Sequence, residues 1–294
     1  MNIVKTASYA EKSLARKHRK PVSRGSIIAM QLVLAVWGLL VLLPLVWLVL
    51  SSLKTQKELT YNVWGLPSVF QFKNYLIAWT RGYLGRFMLN SVYTTAVSII
   101  ISVACSTTIA YALSRFNFKL KKPLYYLIIA GMMIPIHSAV IPLYVTAMKL
   151  DMMNSRVALG FIYAAFRIPI SVFILESFMI SIPKELEECA IIDGCSYPRI
   201  FWSIILPLSR DGILTITILT SLTSWNELLV SMLMLGRPEV KTLPIGVMGF
   251  IAEFASQYTL LCAGLVIASV PNIIFYMLLQ ERIVKGMTLG AVKG

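Results

Sequence analysis

Long runs of apolar residues, separated by shorter polar segments, dominate the chain. Six runs have about 20 residues or more, which is enough for a helix to cross a hydrocarbon core roughly 30 Å thick. The runs are too long for barrel strands and lack a strict alternation of apolar and polar residues, so helices are expected. The predicted spans cover residues 27–50, 88–113, 124–148, 157–180, 212–235 and 258–280.

The composition agrees with a membrane protein. Hydrophobic residues make up 57% of the 294 positions and charged residues only 14%. Together with a mean hydropathy of +0.76, these fractions exclude an ordinary soluble domain. The net charge of +14 could suggest nucleic-acid binding, but the basic residues lie between the spans rather than in one patch. We therefore expect contact with membrane lipid and no nucleic-acid partner.

The basic residues also predict the orientation. With the N-terminus in the cytoplasm, the inside segments hold 17 Lys and Arg residues and the outside segments nine, while Arg167 lies within a span. This asymmetry favours six transmembrane helices with both termini inside. The first apolar run is too long for a signal peptide and is expected to be retained.

The predicted organisation has four parts. They are a basic cytoplasmic tail (1–26), a first transmembrane helix with its outside loop (27–87), a core domain (88–280) and a cytoplasmic C-terminal tail (281–294). The core contains a long inside loop, residues 181–211, between the fourth and fifth spans.

The inside loop predicts two short helices joined by a glycine turn. Pro183 suits a first helical turn, where its missing N–H is not needed. Gly194 is expected to end the first helix, because a left-handed C-cap residue is least strained as glycine. The second helix begins near Ser196 and is expected to stop before Pro207.

The first of these two helices is predicted to be amphipathic. Ile182, Leu186 and Ala190 follow at intervals of four residues and form one apolar stripe. An apolar stripe exposed to water needs a cover. From the residues alone, the membrane surface and a protein partner explain it equally well.

The spacing within this loop resembles the cytoplasmic coupling loop of binding-protein-dependent ABC importer permeases. Its elements are Glu188-Cys189-Ala190, then Gly194, then Ile204-Ile205-Leu206-Pro207, with cysteine where the family usually has alanine. Residues 132–144, Trp225-Asn226-Glu227 and 280–294 resemble the carbohydrate-importer branch. Within that branch the chain is most similar to the second permease subunit, the one like the maltose permease subunit without extra N-terminal spans.

The resemblance implies an ABC type-1 importer permease fold in the cytoplasmic (inner) membrane of a bacterium or archaeon. It also implies three kinds of partner: a second homologous permease subunit, two ATP-binding subunits and an extracytoplasmic sugar-binding protein. In this family the first helix of the loop docks on the ATP-binding subunit and transmits its closure. The residues that would do so here are Leu186, Glu188, Cys189, Ala190, Gly194, Leu206 and Pro207.

ATP chemistry is expected elsewhere in the complex. No nucleotide-binding loop of the form Gly-x4-Gly-Lys-Ser/Thr occurs in the sequence. ATP and Mg²⁺ are therefore expected on the partner subunit, with no cofactor and no enzymatic role on this chain.

Two further sets of residues are candidates for solute transfer. Polar groups within the spans are costly against lipid and usually face a bundle interior or a wet cavity, and aromatic, amide and carboxylate groups suit sugars. We therefore expect Arg167, Trp225, Asn226 and Glu227 on the solute path. The outside loop 236–257 is rich in Gly and Pro and is expected to be a shaped, reaching loop. The resemblance implies that it approaches the binding protein, through Arg237, Gly246, Val247, Met248 and Gly249.

Two other classes of function remain open. A secondary transporter would need only spans and intramembrane charges, and should show inverted repeats and broken helices rather than a coupling motif. A membrane-embedded enzyme would need a catalytic constellation, and none is recognisable in the sequence. The sequence does not identify the sugar.

Overall fold

The computed structural model describes residues 24–291, and the side chains of residues 25–277. Within the described range the chain is α-helical and has no β-strand, which confirms the predicted all-α class. Most of the predicted tail 1–26 and the side chains of the tail 281–294 lie outside the described residues. The chain divides into two units, residues 1–50 and 51–294.

The described residues form helices α1 to α13, and the second unit holds all of them except most of α1. In chain order they are α1 (Arg24–Ser52), α2 (Gln56–Tyr61), α3 (Lys73–Arg81), α4 (Leu84–Arg115), α5 (Lys121–Met133), α6 (Ile136–Lys149), α7 (Arg156–Ile180), α8 (Glu185–Ile192), α9 (Tyr197–Leu208), α10 (Arg210–Trp225), α11 (Leu229–Met234), α12 (Leu243–Glu253) and α13 (Tyr258–Ala291).

Four helices in the described range are continuous, long and apolar enough to cross a membrane. They are α1, α4, α7 and residues 258–277 of α13. Two more spans require helix pairs: α5 with α6, bent by 88°, and α9 with α10, bent by 73°. By length and composition, the described residues therefore contain four candidate spans, or up to six if each bent pair crosses once.

Two of the predicted spans have different boundaries in the structure. The predicted span 124–148 is interrupted beside Pro135, which lacks a backbone N–H and disfavours helical geometry in the residue before it. The predicted span 212–235 is wrong at its C-terminal end, because α10 stops at Trp225. Asn226 caps that end, and its side-chain amide donates a hydrogen bond to the carbonyl of Leu222 at 2.7 Å. Such a local side-chain bond competes with the backbone hydrogen bonds that would continue the helix.

The centre of the bundle is a polar but close-packed contact of α4 with α7 and α10. Small side chains let membrane helices approach closely and hydrogen-bond across the interface. Ser98 accepts a hydrogen bond from the Ser224 hydroxyl at 3.1 Å, and a Cβ placed on Gly160 would lie 2.6 Å from a methyl of Val97. The buried small polar residues of α4 are Ser91, Thr94, Thr95, Ser98, Ser102, Ser106 and Thr107.

Two apolar clusters lie at the two ends of α4. The cluster at its N-terminal end includes Phe87 and joins α4 to α12 and α13. The cluster at its C-terminal end includes Tyr111 and joins α4 to α8 and α9. The segments 181–211 and 236–257 therefore lie at opposite ends of this helix, as expected for loops on opposite sides of a membrane.

Candidate functional site

The turn after α8 has the glycine-dependent geometry that the sequence predicts. Gly194 has a φ of +78°, the left-handed conformation that glycine adopts without strain. Its N–H donates to the carbonyl of Ile191 at 3.0 Å, and the N–H of Cys195 donates to the carbonyl of Ala190 at 2.9 Å. These two bonds form a Schellman motif, which ends α8 and starts the chain toward α9.

The two faces of α8 have different surroundings. Glu187 and Ala190 are buried, whereas Leu186, Glu188 and Cys189 are exposed. The predicted apolar stripe is therefore split, because Leu186 does not share the buried face of Ala190. The exposed apolar surface continues at the end of the helix, where Ile192 is 84% exposed.

Helix α8 also begins later, and α9 ends later, than the sequence predicts. α8 starts at Glu185, so Pro183 precedes the helix, and α9 continues through Leu206 and Pro207 to Leu208. A proline inside a helix removes one backbone bond and crowds the preceding turn. The chain accommodates it with a π-helical turn over Phe201–Ile205.

A buried ion pair joins α8 to the last residue of α4. Arg115 Nε lies against Glu187 Oε1, and the side chains are only 5% and 11% exposed. Arg115 Nη2 also donates to the carbonyl of Ile182 at 3.0 Å. Burial raises the pKa of the Glu187 carboxyl above its ordinary value, and the positive charges of Arg115 and Lys184 oppose that rise.

Two of the four predicted path residues line one small pocket, and the other two do not. Arg167 reaches the pocket from α7, and Glu227 reaches it from the break between α10 and α11. Glu227 Oε1 accepts a hydrogen bond from the N–H of Val230 at 3.0 Å, which caps the start of α11. The pocket is lined by Ile136, Tyr163, Phe166, Arg167, Thr223, Ser224 and Glu227.

The structure places Trp225 and Asn226 elsewhere. Trp225 is 3% exposed and packs in the apolar cluster at the N-terminal end of α4, with its ring 5.9 Å from that of Phe275. Asn226 is exposed, and its side-chain oxygen accepts a hydrogen bond from the Asn272 amide at 3.1 Å. Because α10 ends at Trp225, these residues are not three consecutive helical positions.

Asparagine side chains hold the start of segment 236–257. Asn154, at a φ of +60°, accepts hydrogen bonds from the N–H groups of Gly236 and Arg237 at 2.8 and 2.9 Å. Asn90 donates to the carbonyls of Glu239 and Lys241, each at 2.9 Å. The side chain of Arg237 is exposed above this fixed backbone.

Most of this segment is the packed helix α12 (Leu243–Glu253), so the expectation of a reaching loop is wrong. Gly246 is buried, and a Cβ there would lie 2.0 Å from the ring of Phe87, while Val247 packs partly against the same cluster. Only Met248 and Gly249 of the predicted contact residues on α12 are exposed. Phe250 lies against Gly82 and Gly264, so α12 is tightly fixed to its neighbours.

Comparison with known families decides what kind of protein carries these features. The profile of a family described as the inner membrane component of binding-protein-dependent transport systems matches residues 105–289. The match covers more than half of the chain and includes the segment 181–211. The chain belongs to this permease family.

Named relatives agree over most of the chain. The sulfoquinovosyl glycerol transport system permease protein SmoH of Agrobacterium fabrum is 34% identical, with 86% of this chain and 89% of the relative covered. The melibiose/raffinose/stachyose import permease protein MelC of Bacillus subtilis is 32% identical, with 86% and 91% covered.

A solved structure shares the fold. The crystal structure of a bacterial ABC transporter for import of the acidic polysaccharide alginate contains a chain that matches with a TM-score of 0.78. The match covers 90% of this permease and 99% of that chain, at 21% sequence identity. The expected importer-permease fold is thereby confirmed, and the chain is a multi-pass membrane protein.

The sequence did not predict the residues that hold segments 181–211 and 236–257 of this permease in place. The charge asymmetry includes Arg115 only as one basic residue between spans, and no motif includes Glu187. Asn90 and Asn154 carried no motif. An arginine directly after an apolar span and a glutamate on the buried side of a short helix are signals that could have suggested the first pair.

Proposed function

We propose that this permease forms half of the translocation path of an ABC importer for a sugar or oligosaccharide, driven by ATP hydrolysis on a separate subunit. The observation that carries the proposal is α8, which exposes Leu186 and Cys189 while its opposite face is tied to the bundle through Glu187 and Ala190. Such a helix can take up a force on one face and pass it to the membrane helices through the other. The partners would be a second permease subunit, two ATP-binding subunits holding ATP and Mg²⁺, and an extracytoplasmic binding protein.

Relatives support a carbohydrate as the solute. Their names specify sulfoquinovosyl glycerol in one case and melibiose, raffinose and stachyose in another. These solutes share many hydroxyl groups, which charged and amide side chains bind by hydrogen bonds. The same solute class is proposed here.

The pocket that holds Arg167 and Glu227 is the proposed part of the solute path. Both side chains are half-buried and lie in predicted membrane segments, where ionisable groups mark solute pathways or interhelical pairs. The pocket also touches Ile136 at the α5–α6 break, so both interruptions of the helices meet there. Broken helices are common at transporter binding sites, because they free polar backbone groups for the solute.

Broken helices would also fit an ion-driven secondary transporter, which is the second candidate function. Membership of a binding-protein-dependent family favours the ATP-driven importer over the ion-driven transporter. The two candidates differ in what accompanies the chain and in what energises uptake.

A tagged copy purified from its own cells should retain an ATPase subunit and a second permease. Proteoliposomes of that complex should take up sugar when ATP is on the side of the membrane that α8 faces. The sugar-loaded binding protein must be on the other side. Isolation of an active homodimer that needs an ion gradient and no ATP would refute the proposal.

The orientation predicts opposite labelling of two engineered cysteines in a cysteine-free background. Lys184→Cys, just before α8, should be protected from an impermeant thiol reagent added to intact cells, whereas Met248→Cys, on the exposed side of α12, should react. In inverted vesicles the pattern should reverse, so that only Lys184→Cys reacts, and both positions should react in permeabilised cells. Reaction of Lys184→Cys from outside would overturn the proposed topology.

The same Met248→Cys variant tests the proposed contact with the binding protein. Addition of excess sugar-loaded binding protein should slow its labelling, because Met248 and Gly249 form the exposed part of α12. Unchanged labelling in a complex whose ATPase still responds to the binding protein would remove this surface from the proposed contact.

A further inference from the structure

Arg115 is placed to connect three parts of the permease. It is the last residue of α4, it pairs with Glu187 on α8, and it bonds to the carbonyl of Ile182 in the turn between α7 and α8. One planar guanidinium can hold two acceptors in fixed directions, which a lysine ammonium does less well. The end of α4 is thus fixed both to α8 and to the turn that leads into it.

The chain connections of α8 do not include α4. Before α8 the chain comes from α7 through residues 181–184, and after α8 it continues through Gly194 into α9. α4 instead lies alongside α7 and α10, with Ser102 and Ser171 hydroxyls 3.4 Å apart and Ser98 bonded to Ser224. A direct link from α8 to α4 therefore reaches the centre of the bundle without passing along either neighbouring helix.

Aromatic contacts provide a separate link from α4 to α9. The ring of Tyr111 lies 5.1 Å from that of Phe201, and the ring of Phe116 lies 5.3 Å from that of Tyr197. These contacts hold α9 beside the end of α4 but do not involve α8. Within the described side chains, the charge pair is the polar connection between α8 and α4.

We infer that Arg115 and Glu187 are positioning residues that carry a displacement of α8 directly to α4, so that movement at the ATPase contact changes the α4–α7–α10 packing. This inference rests on the proposed function, since it supposes that an ATPase acts on α8. A buried pair of this kind moves as one unit, because separating two charges that are largely shielded from solvent is strongly unfavourable.

Acid should weaken the coupling between ATPase activity and the permease by protonating Glu187 of the Arg115–Glu187 pair. Arg115 and Tyr111 face Glu187 from α4, and Lys184 faces it from the residue just before α8. Burial raises the carboxyl pKa, so the pair is intact above that pKa and is lost at a higher pH than an ordinary glutamate would require. The ratio of stimulated to basal ATPase activity should fall as the pH on the α8 side is lowered.

The main test uses the complete transporter with single and paired substitutions. Arg115→Gln and Glu187→Gln should each lower stimulation by the sugar-loaded binding protein about tenfold, because each leaves a buried charge without its partner. Glu185→Gln is the matched control, since Glu185 is exposed on the same helix, and it should stay within about twofold of the wild type. Basal ATPase activity and subunit assembly are measured in parallel.

The charge-exchanged variant separates coupling from simple stability. Arg115→Glu combined with Glu187→Arg restores opposite charges but loses the bond to Ile182, so it should recover roughly half of the stimulation. Glu187→Gln should also abolish the fall of the stimulated-to-basal ratio with pH.

The outcomes are distinguishable. Recovery in the exchanged variant, or a pH-dependent ratio that disappears in Glu187→Gln, supports the inference. Full stimulation in assembled single variants, or an exchanged variant no better than the singles, overturns it. If the single variants do not assemble, the pH profile of the wild-type complex decides, and a flat profile overturns the inference. A wild-type chain without any ATPase partner would instead defeat the proposed function.

Discussion

Gly194→Val should lower solute uptake at least fivefold while the permease remains inserted in the membrane. A β-branched residue at a φ of +78° is strained by roughly 1–2 kcal/mol, enough to shift the turn between α8 and α9 into other conformations. No atom lies within 4 Å of a Cβ at this position, so the effect would come from the backbone and not from a clash. Uptake by the reconstituted transporter, normalised to the amount assembled, measures it.

Two variants sharpen this test. Gly194→Asn should retain most uptake, because asparagine adopts the left-handed conformation more readily than other residues with a side chain. Gly38→Val places the same side chain in the open space beside α1, where nothing lies within 4 Å, and should have little effect. Equal damage from Asn and Val at position 194 would show that the turn rejects any side chain, and normal uptake with Val would show that the geometry is dispensable.

Neutralising the charged pocket should have the second large effect. Arg167→Met and Glu227→Gln should each reduce uptake roughly ten- to a hundredfold, the range expected when one or two hydrogen bonds from charged groups to a solute are lost. Glu227→Gln keeps an oxygen that can accept from the N–H of Val230, so the cap of α11 is preserved. ATPase activity and uptake are measured on the same proteoliposomes.

The double variant distinguishes solute contact from mutual pairing. If Arg167 and Glu227 only compensate each other's charge, removing both leaves no unpaired charge and should restore uptake. If they hold the sugar, the double variant should assemble normally and still fail to transport. Restored uptake in the double variant would therefore exclude this pocket from the solute path.

The sequence predicted the features that depend on local chemistry. The glycine at a left-handed turn, the apolar helices and the two-helix form of segment 181–211 all follow from nearby residues, and the structure confirms them. It failed where tertiary contacts decide. Gly246 favoured a shaped, reaching loop, yet in the structure it is the small residue that lets α12 approach Phe87. A glycine needed for a turn and a glycine needed for close packing look alike in one sequence.

The candidate sites show the same limit. Trp225, Asn226 and Glu227 are adjacent in the sequence, but α10 ends at Trp225. The three side chains therefore lie in an apolar cluster, on the surface and in the pocket, respectively. Arg167 and Glu227 are 60 positions apart in the chain, and only the folded bundle brings them together. The Arg115–Glu187 pair likewise joins distant residues without any motif.

The interruption between α5 and α6 has a consequence for how cells must make this permease. Residues 132–135 are exposed there, midway along a predicted span, and the chain between α5 and α6 leaves the α-helix. Lipid does not tolerate exposed non-helical backbone, so this stretch needs a protein or aqueous cover. If the proposed second permease subunit supplies that cover, a copy synthesised without it is expected to be removed by membrane proteases. The proposed assembly would then require that the two chains are produced together and in equal amounts.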